Sequence, residues 1–226
     1  MSQAPHTEVS QSEQLHAAPL GRLHVIVNVG ADAAGFQPLE LAQLALEGGA
    51  PVIQLRAKSM PDRQLFDLAL RMAALCDDYR ANLIVDDCVD IALAAGAHGV
   101  HVGADDLPVA AARQLLGPVR ILGATCRNPE AAAAAERAGA TYVGAGPCYP
   151  TSTKAGLPEP IGLTTLSNIA AAVALPVIAI AGVTAERVPE LLKAGAYGVA
   201  VVGAVAGAAA PVAATRQLVD IIEATR

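Results

Sequence analysis

The chain has no tryptophan, and aromatic residues make up only 3% of its 226 residues. Ala, Val, Leu and Ile must therefore fill the interior. Charge is sparse as well, at 16% against 54% hydrophobic residues, which is the balance of a well-buried globule. There is no basic excess: 15 Lys and Arg face 21 Asp and Glu, a net charge of −6. That argues against a nucleic-acid partner, which needs a basic face, but leaves room for a local cationic pocket. The four cysteines, Cys76, Cys88, Cys126 and Cys148, are widely spaced and form no C-x-x-C pair or Cys/His cluster, so no zinc site is expected. Their thiols read as reduced and mostly buried, as in a cytoplasmic protein. Residues 1–20 lack the basic start and apolar centre of a signal peptide and read as a disordered leader before one domain over 21–226. One stretch, Ala194 to Ala214, carries no charge. It is mostly Gly and Ala and is interrupted by Pro211, so it reads as a buried strand and a small-residue loop rather than a membrane span.

What is present is a rhythm. Short Val- and Ile-rich runs recur as HVIVNV (24–29), VIQLR (52–56), LIVDD (83–87), GVHVG (99–103), ILGATC (121–126), YVGAG (142–146), VIAIAGV (177–183) and GVAVVG (198–203). Several lack alternation, as strands covered on both faces do. Between them lie helical patterns. PDRQLFDLALRMAALCDDYR keeps Leu65, Leu68, Met72 and Leu75 on one side, with Pro61 and Asp62 suited to its first turn. NPEAAAAAERAGA opens on a capping Asn128 and stops at Gly139; TAERVPELLKAGA opens on Thr184 and stops at Gly195. AAGAHGVHVG, RAGATYVGAG and KAGAYGVAVVG share one plan: helix end, Gly stop, short link, strand. Eight strands alternating with helices in a chain of this length predict an α/β fold, a closed (β/α)8 TIM barrel, with a doubly wound open sheet as the alternative. In a barrel the chemistry gathers at the C-terminal ends of the strands.

Those ends are rich in polar groups. Alternation places Gln54, Arg56 and Lys58 on one side of the second strand, with the two cations at its mouth. They could grip a diphosphate, or simply pair with surface acids. Asp86 and Asp87 end the third strand, and Asp105 and Asp106 follow the fourth. Carboxylates at neighbouring strand ends suit Mg²⁺ shared with phosphate oxygens; helix capping by Asp87, Asp105 or Asp106 is the competing account. Thr125 ends the fifth strand. GPCYPTSTKAG (146–156) then supplies Thr151 and Thr153 as hydroxyl donors to one anion and Lys154 as a bridge to another. Gly182 and Gly203, after strands seven and eight, would let a phosphate approach the backbone; turn geometry alone is the competing account. His98 and His101 read as core or supporting residues. The layout suits an enzyme that joins two phosphorylated fragments.

The segments QLRAK, DDCVDIALAAGAHGVHVGADDLP, GATC, YVGAGPCYPTSTKAG and IAIAGV…AGAYGVAVVGAV resemble, in order, those of the thiamine-phosphate synthase family, over about residues 22–225. The combination of Q-x-R-x-K, D-x18-D and G-P-x-x-P-T-x-T-K carries the resemblance. It implies a barrel that couples 4-amino-2-methyl-5-hydroxymethylpyrimidine diphosphate to 4-methyl-5-(2-phosphoethyl)thiazole, with Mg²⁺ as cofactor and thiamine phosphate and diphosphate as products. The partners implied are small molecules, with no nucleic acid and no membrane; a homo-oligomer is compatible with the sequence. By resemblance Gln54 contacts the aminopyrimidine. Arg56, Lys58 and Lys154 bind the diphosphate, with Asp86 beside them, and Asp87 and Asp106 hold the metal. Thr125 stands near the reacting centre in place of a usual serine. Thr151 and Thr153, with backbone at Gly182, Val202 and Gly203, bind the thiazole phosphate. Arg56, Thr125 and Lys154 are the residues expected to serve catalysis.

Three positions depart from the family's usual pattern. Asp86 stands where Asn is normal, Gly203 where Ser is common, and Ala181 replaces the first Gly of a frequent Gly-Gly pair. An added carboxylate at Asp86 repels a diphosphate unless it binds metal or is protonated. Two other readings share the fold. One is a thiazole tautomerase-like barrel, for which Thr125–Cys126 brings no neighbouring histidine for proton transfer. The other is a phosphate-ligand binding protein without catalysis.

Overall fold

A computed structural model describes residues 19–30, 35–151, 156 and 158–225. Eight parallel strands close on themselves in sequence order. They are β1 (Leu23–Asn28), β2 (Val52–Arg56), β3 (Asn82–Asp86), β4 (Gly99–Val102), β5 (Ile121–Cys126), β6 (Tyr142–Ala145), β7 (Val177–Ile180) and β8 (Gly198–Val201). Closure is direct, with Val25 of β1 opposite Val201 of β8. The open-sheet alternative is therefore excluded. Expected residues 1–18 of the leader, with Thr153 and Lys154, lie outside the described residues; Leu20 packs against the apolar cluster inside the barrel.

Helices cross between the strands: α1 (Pro38–Glu47), α2 (Asp62–Asp78), α3 (Val89–Ala94), α4 (Val109–Leu116), α5 (Pro129–Arg137), α6 (Gly162–Ala172), α7 (Val188–Lys193), α8 (Gly203–Ala206) and α9 (Pro211–Ala224). The cap expected at Asn128 is made: its side chain accepts from the Ala131 N–H at 2.8 Å. The repeated Gly stops at Gly96, Gly139 and Gly195 all have left-handed φ, at 71°, 95° and 99°. That backbone lets each helix end and turn into the next strand within a few residues. Pro61 borders α2 rather than entering it, and Pro189 sits in the first turn of α7, where it breaks no hydrogen bond. The uncharged stretch from Ala194 divides among β8, α8 and the start of α9. No helix among the described residues is long and apolar enough to cross a membrane.

Two apolar layers result. The larger lies between barrel and helices and takes one face of every strand, which is why most strands read as continuous apolar runs. The smaller fills the barrel with Ile26, Val52, Ile84, Ile121, Tyr142 and Ile178. With no tryptophan available, Tyr142 is the bulkiest fully buried side chain. It fits because Gly123 faces it; a Cβ there would collide with the phenol ring.

Polar groups inside the barrel are arranged around that ring. His24 lies edge-on to it at 5.2 Å between centroids, and His24 Nε2 is 3.2 Å from the Gly21 carbonyl. Burial lowers the His24 pKa from 6.5 to about 3, helped by the nearby His101. An unfolded His24 takes up a proton below about pH 6.5, while the folded residue stays neutral until about pH 3. The contribution is complete above the unfolded value and is lost as pH falls through that window. Each pH unit removes about 1.4 kcal/mol while one proton separates the states. Urea unfolding of wild type and His24→Gln between pH 7 and 4 is expected to show a shallower pH slope in the variant. Parallel curves would remove His24 from the acid response.

The cysteines follow the expectation. None is in a disulfide, and Cys76, Cys126 and Cys148 are buried. Burial pushes the Cys76 thiol up to about 12 and the Cys126 and Cys148 thiols to about 11, which leaves them protonated and inert. His98 is a structural residue outside the barrel. Its Nδ1 accepts from the Leu83 N–H at 3.1 Å, and its Nε2 lies 3.2 Å from Asp77.

Candidate active site

A cavity of about 510 Å³ opens at the C-terminal ends of the strands. One wall gathers Gln54, Arg56, Lys58, Asp86, Asp87 and Asp106. Thr125 lies on its floor side, and Thr151, Gly182, Val202 and Gly203 line the remainder. The described residues among those picked out thus share one space, because each lies on or follows a strand of one closed barrel.

The charged wall is a continuous network. Gln54 Nε2 donates to Asp86 Oδ1 at 3.0 Å, and Arg56 Nε pairs with Asp86 Oδ2 at 3.3 Å. Arg56 Nη1 also donates to Asn28 Oδ1 at 2.7 Å, from the adjacent strand. Asp86 therefore holds the two neighbours that precede it on β2. Burial raises its pKa, against the pull of Lys58 and Arg56.

Lys58 makes a short ion pair with Asp87 and lies 3.7 Å from Asp106 Oδ1. Burial works against its charge, but Asp87, Asp86 and Asp106 together hold its pKa above the usual lysine range. Burial, a hydrogen bond with Asp106 and the charge of Asp86 raise Asp87 to about 6. For Asp106, burial is outweighed by the hydrogen bond from Asp87 and by the Gly103 N–H, which donates to Oδ2 at 2.8 Å; its pKa is lowered. Neither acid caps a helix. Cys88 borders α3 and Pro108 borders α4, both without a side-chain cap. Asp87 takes left-handed backbone, φ 65°, which aims its carboxylate across to Asp106.

Two carboxylates close enough to share a proton, with an ammonium group against both, form a site that calls for positive charge. They fit Mg²⁺, which commonly uses one or two protein carboxylates and takes its other ligands from phosphate and water. No group of three or more acidic, His or Cys side chains that could hold a metal by itself occurs among the described residues.

His101, read from the sequence as a core or supporting residue, takes a supporting place beside Thr125. It lines the cavity and its Nε2 lies 2.9 Å from Thr125 Oγ1, while Nδ1 lies 2.9 Å from the Tyr142 hydroxyl. Burial lowers its pKa to about 4, although Asp106 acts in the opposite sense. A histidine does stand beside Thr125, then, supplied by the neighbouring strand rather than by the adjacent residue. The signal was HV in GVHVG: an imidazole at an inward position of a strand otherwise filled by Gly and Val.

Arg187 was not singled out from the sequence. It lines the cavity from the turn after β7, donates from Nη1 to the Gly182 carbonyl at 2.6 Å, and stacks over the Tyr149 ring with 4.3 Å from Cζ to centroid.

A closed parallel eight-stranded barrel with cations and paired acids around a cavity at its C-terminal rim defines a (β/α)8 protein with its charged cavity where barrel enzymes carry their active sites. Sequence comparison makes this specific. The model of the thiamine monophosphate synthase family matches residues 23–205. A thiamine-phosphate synthase of Salinispora tropica is 50% identical over 206 residues, covering 90% of this chain and 98% of the relative. One from Chlorobium limicola is 48% identical over 186 residues, covering 82% and 89%. The structure of a thiamine phosphate pyrophosphorylase from Pyrococcus furiosus superposes with a TM-score of 0.81 at 38% identity, covering 90% of this chain and 96% of that one. The chain belongs to the thiamine monophosphate synthase family.

Proposed function

We propose that this protein is a transferase that couples 4-amino-2-methyl-5-hydroxymethylpyrimidine diphosphate to 4-methyl-5-(2-phosphoethyl)thiazole, releasing diphosphate and thiamine phosphate. The observation that supports the reading is a single cavity that gathers Arg56 and Lys58 with Asp87 and Asp106, and is also lined by Gly182, Gly203 and Arg187. The first group suits a diphosphate with its metal and the second a monophosphate.

The C–O bond to diphosphate breaks heterolytically, and its electron pair leaves with the diphosphate. The positive charge left on CH₂ spreads into the aminopyrimidine ring. The thiazole nitrogen lone pair then forms the C–N bond. No proton moves and no protein nucleophile is needed. Arg56 and Lys58, joined by Lys154 through the family resemblance, stabilise the charge growing on the leaving group. Asp87 and Asp106 would hold Mg²⁺, which when bound neutralises diphosphate oxygens as the bond breaks. Gln54 is held by Asp86 through its amide nitrogen, so its oxygen is the group left to accept from the aminopyrimidine. Thr125, tied to His101, faces the reacting carbon. Thr151, Thr153 and the backbone at Gly182, Val202 and Gly203 position the thiazole phosphate, which converts a collision into an oriented attack. The enclosing walls limit water, the competing nucleophile.

Asp86 acts in this scheme as an anchor for Arg56 and Gln54 rather than as a metal ligand. Asp86→Asn keeps an acceptor for Gln54 and removes a negative charge beside the diphosphate. Its expected effect is a severalfold lower KM for the pyrimidine substrate, with kcat within about threefold of wild type, as for a change that leaves the transition-state contacts in place. A hundredfold loss would make Asp86 a metal ligand.

Incubating the purified protein with both substrates and Mg²⁺ tests the function. Formation of thiamine phosphate and diphosphate is expected, abolished by chelator and restored by Mg²⁺. The position of His101 beside Thr125 keeps thiazole isomerisation as a second activity to measure in the same assay. Isomerisation without coupling would replace the reading, and tight binding without turnover would make the protein a carrier.

A further inference from the structure

We propose that Arg187 is a binding residue for the phosphate of the thiazole substrate, supplying there the positive charge that backbone groups alone lack. The inference rests on the functional reading above for the identity of the ligand. Arg187 follows β7 on a short 3-10 turn, Ala185–Arg187, and lines the cavity beside Gly182 and Thr184.

Its guanidinium is oriented before any ligand arrives. Nη1 is tied to the Gly182 carbonyl at 2.6 Å, and the planar group lies on the Tyr149 ring at 4.3 Å. Tyr149 is itself held, by a 2.5 Å hydrogen bond from its hydroxyl to Glu190 and by its N–H to the Ala181 carbonyl at 3.2 Å. Such a fork presents its remaining N–H groups at little further entropic cost.

Among the described residues no salt bridge holds the Arg187 charge. The other described cavity-wall cations each have an acid: Arg56 pairs with Asp86, and Lys58 with Asp87 and Asp106. Among the described residues Arg187 has no ion pair. Of its acidic neighbours, Glu190 accepts from the Tyr149 hydroxyl, and Glu186, bonded to Thr184, feels the Arg187 charge through space without an ion pair. Beside it, the N–H groups of Gly182 and Val183 donate, among the described residues, to no backbone carbonyl outside helices and strands. Amides without a backbone acceptor, beside a guanidinium with N–H groups to spare, make a setting for a multiply charged oxyanion.

The proposal also gives a physical meaning to Gly203. A Cβ at Gly203 would meet no protein atom within 4 Å, so space for a serine side chain is open there. In this chain Gly203 brings no hydroxyl to the cavity that Arg187 also lines.

The test compares Arg187→Met, which removes charge but keeps an unbranched side chain, with Arg187→Lys, which keeps the charge. Both substrates are titrated in steady state, and thermal unfolding checks the fold. Arg187→Met is expected to raise KM for the thiazole phosphate by about 10- to 100-fold, the range for losing a charged hydrogen-bond partner. KM for the pyrimidine diphosphate and kcat at saturation stay near wild type. Arg187→Lys falls between the two, and adding Gly203→Ser to Arg187→Met recovers part of the loss. Equal effects of Met and Lys, equal effects on both substrates, or an unchanged thiazole KM would each overturn the assignment and leave Arg187 as a prop for Gly182 and Tyr149. Direct calorimetric titration of the thiazole phosphate separates this from the wider reading. If wild type binds it in an Arg187-dependent way but does not couple the substrates, the function fails while the binding role stands.

Discussion

Lys58→Ala is expected to lower kcat by about 10²- to 10³-fold, as for removal of one preorganised group that stabilises developing charge. The basis is where Lys58 stands. Its ammonium group sits against Asp87 and near Asp106, at the place where a divalent ion held by those acids would neutralise them. Binding of Mg²⁺ and diphosphate would relieve the acids of their need for Lys58 and leave its charge for the leaving group. The loss should therefore fall on kcat more than on binding of the thiazole. Lys58→Arg restores charge with a different reach and is expected to recover part of the rate. A kcat within threefold of wild type in Lys58→Ala would place the residue outside leaving-group stabilisation and reduce it to an apo-state counter-ion.

The second large effect is expected from Asp87→Asn. Asn is among the non-glycine residues that tolerate left-handed backbone best, so the φ of 65° at position 87 is preserved and the change reads chemistry rather than strain. Asparagine also retains an oxygen to face Lys58 but loses the negative charge. The Mg²⁺ concentration giving half-maximal activity should rise by more than the roughly 10- to 100-fold that loss of an outer-shell partner costs. Coupling activity at fixed Mg²⁺ should fall with it. Titration of activity against Mg²⁺ in wild type and variant provides the measurement. An unchanged midpoint would sink the assignment of Asp87 to the metal. Asp106→Asn is a less clean probe, because Asp106 also receives the Gly103 N–H and so shapes its own loop.

Much of the architecture could be read locally. Each strand announced itself because a barrel strand is covered on both faces, so a run of Val and Ile is its ordinary composition. The Gly stops at Gly96, Gly139 and Gly195 were visible because left-handed backbone is cheap only without a Cβ. Gln54, Arg56 and Lys58 could be placed on one side by the two-residue period of a strand alone. The charged wall was legible as a set of residue types at strand ends, although the partner of each was not.

The partners came out differently from the local rules. Asp87 and Asp106 looked as suited to capping helices as to holding a cation, since both precede helices. Only the packing of β3 against β4 shows that they face one another instead. Asp86 looked like a repulsive intrusion; the adjacent strand turns it into the anchor of Arg56 and Gln54. His101 had no visible neighbour at Thr125, 24 residues away, until β4 and β5 were laid side by side. Arg187 resembled any solvated arginine at a helix start.

By itself, then, the order of residues determined the strand and helix series, the residue types at each strand's end, and membership of a family with a given chemistry. The first two depend on backbone preferences and periods that act over a few positions; the third rests on the order of whole sequence blocks shared with relatives. Which cation meets which acid, which histidine meets Thr125, and which described cavity arginine has no ion pair were decided by tertiary structure alone. Barrel closure sets those pairings through distances between residues tens of positions apart, and no local pattern encodes a distance of that kind.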